Sequence, residues 1–185
     1  MRTQWFRWDS RFRGVQSQRI SLIVAWLLAA GNLVAQQPAP SASQTSDLVL
    51  TATSHEPLRL NATELKALPH IAVTFHNTHS NADETYSGVR LADLLAKLGA
   101  PLGDALRGKA LANYVVASGS DGYKSVLALG EIDPSFHPGE VIVADGIDGK
   151  PLDVHNGPFK LVVTEDKRPA RSVRNLISIE LRSAQ

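Results

Sequence analysis

The sequence predicts an α+β domain in which several short, mixed β-strands accompany a few short helices. β-prone runs separated by Gly, Asp and Pro turns recur through the second half of the chain, whereas only two stretches have helical character. The chain after residue 46 is long enough to bury a hydrophobic core without disulfide bonds, and the sequence contains no cysteine. These observations indicate one domain, residues 47–185.

The first 35 residues are typical of a secretory signal peptide. Five arginines precede an apolar run from Ile20 to Ala30, which is too short to span a bilayer comfortably. We expect cleavage after Ala35. Retention as an uncleaved anchor is the alternative, because Leu33 is larger than the usual residue near a cleavage site. The predicted location of the protein is therefore periplasmic or secreted.

The net charge of the chain depends on this segment. It holds five of the 19 Lys and Arg residues and one of the 18 Asp and Glu residues, so its removal leaves 14 basic and 17 acidic side chains. The net charge is +1 for the full chain and about −3 for the mature chain. Such a charge gives no reason to expect nucleic acid as a partner. We also expect no membrane association after signal cleavage.

The first predicted elements follow a flexible linker over residues 36–46, which is rich in Pro, Ser, Ala and Gln. Alternating apolar residues predict a strand over Leu48–Thr53. The pattern Asn61–Glu64 is typical of a capping box and predicts a short helix, Ala62–Leu68, that ends before Pro69.

A strand is predicted over Ile71–Phe75, followed by a polar loop over His76–Glu84. Leucines at helical spacing predict a second helix over Leu91–Leu98, and Gly99 and Pro101 end it. The remaining β-prone runs are Tyr114–Ala117, Tyr123–Leu129, Val141–Ala144, Phe159–Thr164 and Leu176–Arg182.

Ordered motifs between Leu65 and Leu181 resemble the molybdopterin-binding domain of sulfite-oxidase-type oxidoreductases. The resemblance implies the sulfite-oxidase-like fold, molybdopterin as cofactor and oxidoreductase activity. The motifs that carry it are Tyr86–Leu95, Asp121–Tyr123, Gly149–Leu152, Gly157–Val163 and Ser172–Arg174.

Two features depart from the family pattern. In the family, a cysteine after the strand corresponding to Ile71–Phe75 binds molybdenum, whereas this sequence has His76-Asn77 there and no cysteine at all. A histidine nitrogen is not a thiolate, so ordinary oxo-transfer chemistry does not carry over. The family's enzymes are also usually exported through a twin-arginine signal, and no Arg-Arg pair precedes Ile20. Both departures favour an empty pterin groove.

A cluster of basic residues is the main candidate for ligand binding. Lys167 and three arginines fall within eight residues and are suited to phosphate or a pterin pyrophosphate. The alternative is an exposed face with ion pairs, because Glu165 and Asp166 precede them. The family resemblance implies a pocket to which this cluster and other residues contribute. The predicted ligand-binding residues are His76, Asn77, Tyr123, Lys160, Arg168, Arg171 and Arg174.

Two smaller constellations have competing interpretations. Asp121 and Tyr123 either line a pocket mouth or form a simple turn between strands. If the chain binds a metal, His76 and His79 are the expected ligands. Their polar surroundings favour the alternative, a solvated loop.

Several enzyme classes have no support in the sequence. The absence of cysteine excludes thiol chemistry, and no dinucleotide, Walker, zincin or serine-hydrolase motif is present. Two hypotheses are left. The favoured one is an exported, non-catalytic module that binds a small anion, a pterin-like ligand, a metal or a protein partner. The alternative is a periplasmic molybdopterin-dependent oxidoreductase or its subunit.

Overall fold

The computed structural model describes residues 47–77 and 81–184, and the predicted signal and linker lie outside them. The described part contains ten strands and two short α-helices, which confirms the α+β prediction. The helices are α1 (Ala62–Lys66) and α2 (Leu91–Lys97). The strands are β1 (Leu48–Ala52), β2 (Leu58–Leu60), β3 (Ile71–Asn77), β4 (Ala82–Arg90), β5 (Asn113–Gly119), β6 (Lys124–Ala128), β7 (Val141–Ile147), β8 (Lys150–Pro151), β9 (Lys160–Val163) and β10 (Leu176–Ser183).

The strands form two five-stranded sheets. The first sheet has the order β2-β1-β10-β5-β6, in which β1 and β10 are parallel and the other pairs are antiparallel. The second is antiparallel, with the order β3-β4-β7-β8, and β9 also pairs with β7. The segment between β9 and β10 therefore connects the two sheets.

Alternating side chains from both sheets form the main hydrophobic core. Leu50 of β1, Ile179 of β10 and Val143 of β7 are fully buried in it. The leucine spacing that predicted α2 places Leu94 and Leu95 in the same core. Truncating such a leucine to alanine costs about 2–5 kcal/mol because a cavity is left behind.

The capping box predicted at α1 is present. The Asn61 side-chain oxygen accepts hydrogen bonds from the backbone N–H groups of Thr63 (2.9 Å) and Glu64 (3.0 Å), and Glu64 accepts one from the Asn61 N–H (2.9 Å). The helix ends at Lys66, earlier than the predicted Leu68. Its start was predictable because the cap is formed by residues three apart.

The predicted polar loop over His76–Glu84 is wrong. Strand β3 continues to Asn77, and β4 begins at Ala82, so the polar residues belong to a hairpin. A strand exposes alternate side chains, so its exposed face tolerates polar residues that cannot build a core. β4 runs through Tyr86 to Arg90, and α2 begins only at Leu91.

Three strands were not predicted: β2, β4 and β8. β2 and β8 have only three and two residues, too few for a periodic pattern. Among the helices of the described residues, none has the length and apolar character needed to cross a membrane.

Candidate functional site

A pocket of about 250 Å³ lies beside the segment that connects the two sheets. One wall comes from the turn between β5 and β6, and the other from the chain between β9 and β10. The lining residues are Asp121, Tyr123, Pro169, Ser172 and Arg174. The structure thus brings Tyr123 and Arg174, two of the predicted ligand-binding residues, to one cavity.

Hydrogen bonds fix both walls of the pocket. Asp121 Oδ1 accepts from the Tyr123 N–H at 2.9 Å, which closes a turn of the kind that favours Asp. The Tyr123 hydroxyl donates to the Ala170 carbonyl at 2.5 Å, and the Ser120 N–H donates to the Asn175 carbonyl at 2.9 Å. The two walls are therefore connected by direct contacts.

Gly119 allows the walls to approach this closely. A Cβ atom at this position would lie 2.8 Å from the Arg174 carbonyl oxygen and 2.9 Å from Asp121 Oδ1. Real Cβ atoms do not tolerate such distances to backbone, so any larger residue would force the wall outward. The glycine at the end of β5 is a steric requirement of the pocket.

Charged side chains of both signs lie around Arg174. Burial is the main cause that lowers the pKa of the Lys160 ammonium; the Glu84 and Asp153 carboxylates act in the opposite direction, and the positive charge of Arg174 lowers it. Among the described residues, the ion pairs within 4.0 Å do not include Arg174. Arg174 and Lys160 therefore influence each other, and within the described part of the chain no carboxylate lies within ion-pair distance of Arg174.

Lys160 belongs to a hydrogen-bonded network on the second sheet. Its ammonium donates to the Tyr86 hydroxyl at 2.6 Å and lies 4.4 Å from the centre of the Tyr86 ring. The Tyr86 hydroxyl donates to Glu84 Oε2 at 2.9 Å, and Asn77 Nδ2 donates to Glu84 Oε1 at 2.6 Å. Burial and the bond to Glu84 raise the pKa of Tyr86. The network joins the predicted residues Asn77 and Lys160 through two residues that were not predicted.

Arg171 forms a closed ion cluster instead of lining the pocket. Its guanidinium donates to both carboxylate oxygens of Asp166, at 2.6 and 2.9 Å, and to Glu131 Oε1 at 2.6 Å. These bonds raise the pKa of Arg171. Two carboxylates neutralise this arginine, which matches the ion-pair alternative. Arg168 is exposed, immediately before the 3₁₀ turn Pro169–Arg171.

The two residues at the end of β3 point in opposite directions. His76 is exposed, and its Nδ1 lies 2.9 Å from Asp83 Oδ1, whereas Asn77 contacts Glu84 on the other face of the hairpin. His79 lies outside the described residues. Within residues 47–77 and 81–184, no three His, Cys, Asp or Glu side chains are grouped so as to hold a metal ion. The metal site at His76 and His79 stays a prediction.

A larger cavity, of about 400 Å³, is a weaker candidate. It lies between α1 and the β7–β8 hairpin, and its lining includes Lys66, Ser87, Asp145 and Lys150. The surface is mainly apolar, and no residue predicted to bind a ligand lines it. The smaller pocket is preferred because two of the predicted ligand-binding residues, Tyr123 and Arg174, line it.

Sequence reasoning missed Glu84, Tyr86, Pro169 and Ser172. Tyr86 was noted only as part of a motif, since its contact with Lys160 spans 74 residues. Ser172 was likewise noted only as part of a motif within the basic cluster, and its place in the pocket wall becomes visible only in the fold. Glu84 and Tyr86 are two residues apart on β4 and therefore lie on the same face of the strand. This spacing could have indicated both residues, but only if β4 had been predicted as a strand.

The side chains at the end of β3 do not fit thiolate ligation of molybdenum. The resemblance implies a cysteine close to the end of β3, but the residues there are His76 and Asn77 and the sequence contains no cysteine. The two side chains diverge and contact Asp83 and Glu84, respectively.

Comparisons with known proteins bear on the fold and the family. The chain resembles the solved structure of the sulfane dehydrogenase SoxCD from Paracoccus pantotrophus, with a TM-score of 0.58 and 17% identity. The match covers 76% of this chain but only 39% of the SoxCD chain, so this protein spans well under half of that neighbour. No curated protein matches significantly. The family model for the oxidoreductase molybdopterin binding domain matches residues 36–185, and the chain therefore belongs to that family.

Proposed function

We propose that this protein is an exported, non-catalytic member of its family that binds a small anion at Arg174. The observation that carries the proposal is the contrast between two arginines of one segment. Arg171 is paired with two carboxylates, whereas Arg174 lines a pocket and is absent from the ion pairs of the described residues. An arginine that lines a cavity and forms no ion pair within the described residues is suited to an anionic ligand.

The surroundings support binding of an anion. Hydrogen bonds to charged groups contribute about 1.5–3 kcal/mol each, more than neutral ones. The Ser172 side chain lines the same pocket, and the charge of Lys160 acts on the same region. An anion at Arg174 would reduce the repulsion between the two cations.

The non-catalytic role rests on the side chains at the end of β3. The family's chemistry requires a metal ligand that His76 and Asn77 do not supply as a thiolate. Export rests on the basic and apolar residues 1–35 and is tested by fractionation of the native host. The periplasmic or secreted fraction is expected to contain the protein.

The family match favours one alternative, a molybdopterin-dependent oxidoreductase or its subunit. Protein purified from its own host is to be analysed for molybdenum, zinc and copper by mass spectrometry and for oxidised pterin by fluorescence. Near-stoichiometric molybdenum with pterin would establish that alternative. Zinc or copper without pterin would direct attention to His76 and His79.

The anion site is tested by calorimetric titration of the chain with inorganic phosphate and with propionate. We expect Arg174→Gln to weaken binding at least tenfold, because the ligand loses its charged partner. Arg168→Gln is the matched control. This variant also removes one positive charge, but Arg168 lies six residues before Arg174 and does not line the pocket. It should therefore change affinity less than twofold. Equal losses in the two variants, or no binding by the wild type, would contradict the proposal.

A further inference from the structure

The pocket at Arg174 also contains a side chain of opposite charge. Asp121 lines it from the turn after β5, and Arg174 lines it from the chain before β10. Among the described residues, no ion pair within 4.0 Å includes either of them. A positive and a negative group thus share one cavity of about 250 Å³ without neutralising each other directly.

Each side of the pocket has hydrogen-bonding capacity left for a ligand. Asp121 Oδ1 accepts from the Tyr123 N–H, but a carboxylate offers about four acceptor sites. The Ser172 hydroxyl oxygen accepts from the Val163 N–H at 3.3 Å, a bond that does not use the hydroxyl hydrogen. The Arg174 side therefore presents donors, and the Asp121 side presents acceptors.

We propose that the pocket binds a small zwitterion of the amino-acid class, with its carboxylate at Arg174 and Ser172 and its ammonium at Asp121. This inference rests on the proposed anion site and names the ligand class for it. The volume is below the roughly 300–1,000 Å³ of pockets for drug-sized ligands, which suits a molecule of amino-acid size. Tyr123 and Pro169 supply the less polar walls.

The charge arrangement explains why a zwitterion is preferred over simpler ions. An anion without an ammonium group gains from Arg174 but is repelled by Asp121. A cation without a carboxylate gains from Asp121 but is repelled by Arg174. Only a ligand with both groups satisfies both walls, so the two charges together select against partial analogues.

The test compares three ligands of similar size: L-alanine, propionate, which lacks the ammonium, and ethylamine, which lacks the carboxylate. Binding to the full chain is measured by calorimetric titration at pH 7 and low salt. We expect alanine to bind at least tenfold more tightly than propionate, and ethylamine not to bind measurably. The alanine-to-propionate affinity ratio is the readout.

Asp121→Asn removes the negative charge while keeping the side-chain oxygen that accepts from the Tyr123 N–H, so the turn is retained. We expect this variant to bring the affinity ratio to within twofold, chiefly by weakening alanine. Asp104→Asn is the control, because Asp104 is exposed and does not line the pocket. It should leave the ratio unchanged.

The outcomes separate this inference from the proposed function. If propionate and alanine bind equally well to the wild type, or if Asp121→Asn keeps the ratio, the zwitterion is overturned and the anion site stands. If ethylamine binds best, both are overturned, because Arg174 then does not select an anion. If neither phosphate, propionate nor alanine binds, both are overturned as well.

Discussion

Arg171 and Arg174 are three residues apart and chemically identical, yet they lie in different environments. Arg171 ends a 3₁₀ turn and is held by Asp166 and Glu131. Arg174 follows the buried Val173 and lines the pocket opposite Asp121. The difference shows that a run of basic residues in a sequence does not define one site. The carboxylates that the fold places beside each arginine decide whether it is held in an ion cluster or left open to the pocket.

The largest expected effect separates the two arginines by stability. Arg171→Gln should lower the free energy of unfolding by about 1–2 kcal/mol, because Glu131 and Asp166 lose their partner while solvent screens part of the cost. The Arg171 side chain is 37% exposed, so the full penalty of a buried ion pair does not apply. Arg174→Gln should change stability by less than about 0.5 kcal/mol. Urea denaturation measures both.

Phosphate affinity should rank the two variants in the reverse order, with the larger loss for Arg174→Gln. Arg171→Gln is expected to leave the affinity for phosphate within twofold of the wild type, provided that the variant is assayed well below its unfolding midpoint. If Arg171→Gln weakened phosphate binding as strongly as Arg174→Gln, the separation between a structural arginine and a ligand-facing one would be lost.

Tyr123→Phe tests the connection between the pocket walls. The variant loses the bond from the hydroxyl to the Ala170 carbonyl, and we expect a loss of about 1 kcal/mol in stability. Phosphate affinity should fall about threefold, because the segment that carries Arg174 becomes less fixed. Amide hydrogen exchange should increase at residues 167–172. Unchanged exchange there would show that Tyr123 does not hold the wall.

The pH dependence of stability should depend on Arg171 rather than Arg174. Burial would raise the pKa of Glu131, but hydrogen bonds from Arg171 and the Ala128 N–H outweigh it, so its pKa is lowered. A carboxylate with a lowered folded pKa contributes stability above its unfolded value of about 4.5, and this contribution is lost as pH falls through the folded pKa. Because the side chain is 39% exposed, we expect less than about 1 kcal/mol from it.

Urea denaturation between pH 6 and pH 3 measures this contribution. The stability difference between the wild type and Arg171→Gln should shrink as pH falls below 4.5. For Arg174→Gln, the difference from the wild type should be flat over this range. A difference for Arg171→Gln that does not change with pH would show that Glu131 gains nothing from Arg171.

The sequence predicted local features well and long-range contacts poorly. The capping box at Asn61 and the leucine spacing of α2 involve residues three or four apart, so their patterns are readable directly. The partner of Arg171, Glu131, is 40 residues away along the chain, and no spacing rule connects them. The basic cluster was therefore identified as a group, while its division into a closed ion cluster and an open pocket required the fold.

The smallest expected effect concerns Lys160, which acts on the pocket from a distance. Lys160→Gln should weaken phosphate binding about twofold at low salt, and the difference should disappear near 0.5 M salt, because screening shortens the range of its charge. Lys150→Gln, an exposed change on β8, is the control.

The pKa of Lys160 is lowered, mainly by burial, so the ammonium loses its charge at lower pH than an ordinary lysine. As pH rises, the wild type should therefore approach the affinity of Lys160→Gln before any exposed lysine titrates. A constant difference would mean that Lys160 acts through its bond to Tyr86, which supports the pocket indirectly, and not through its charge.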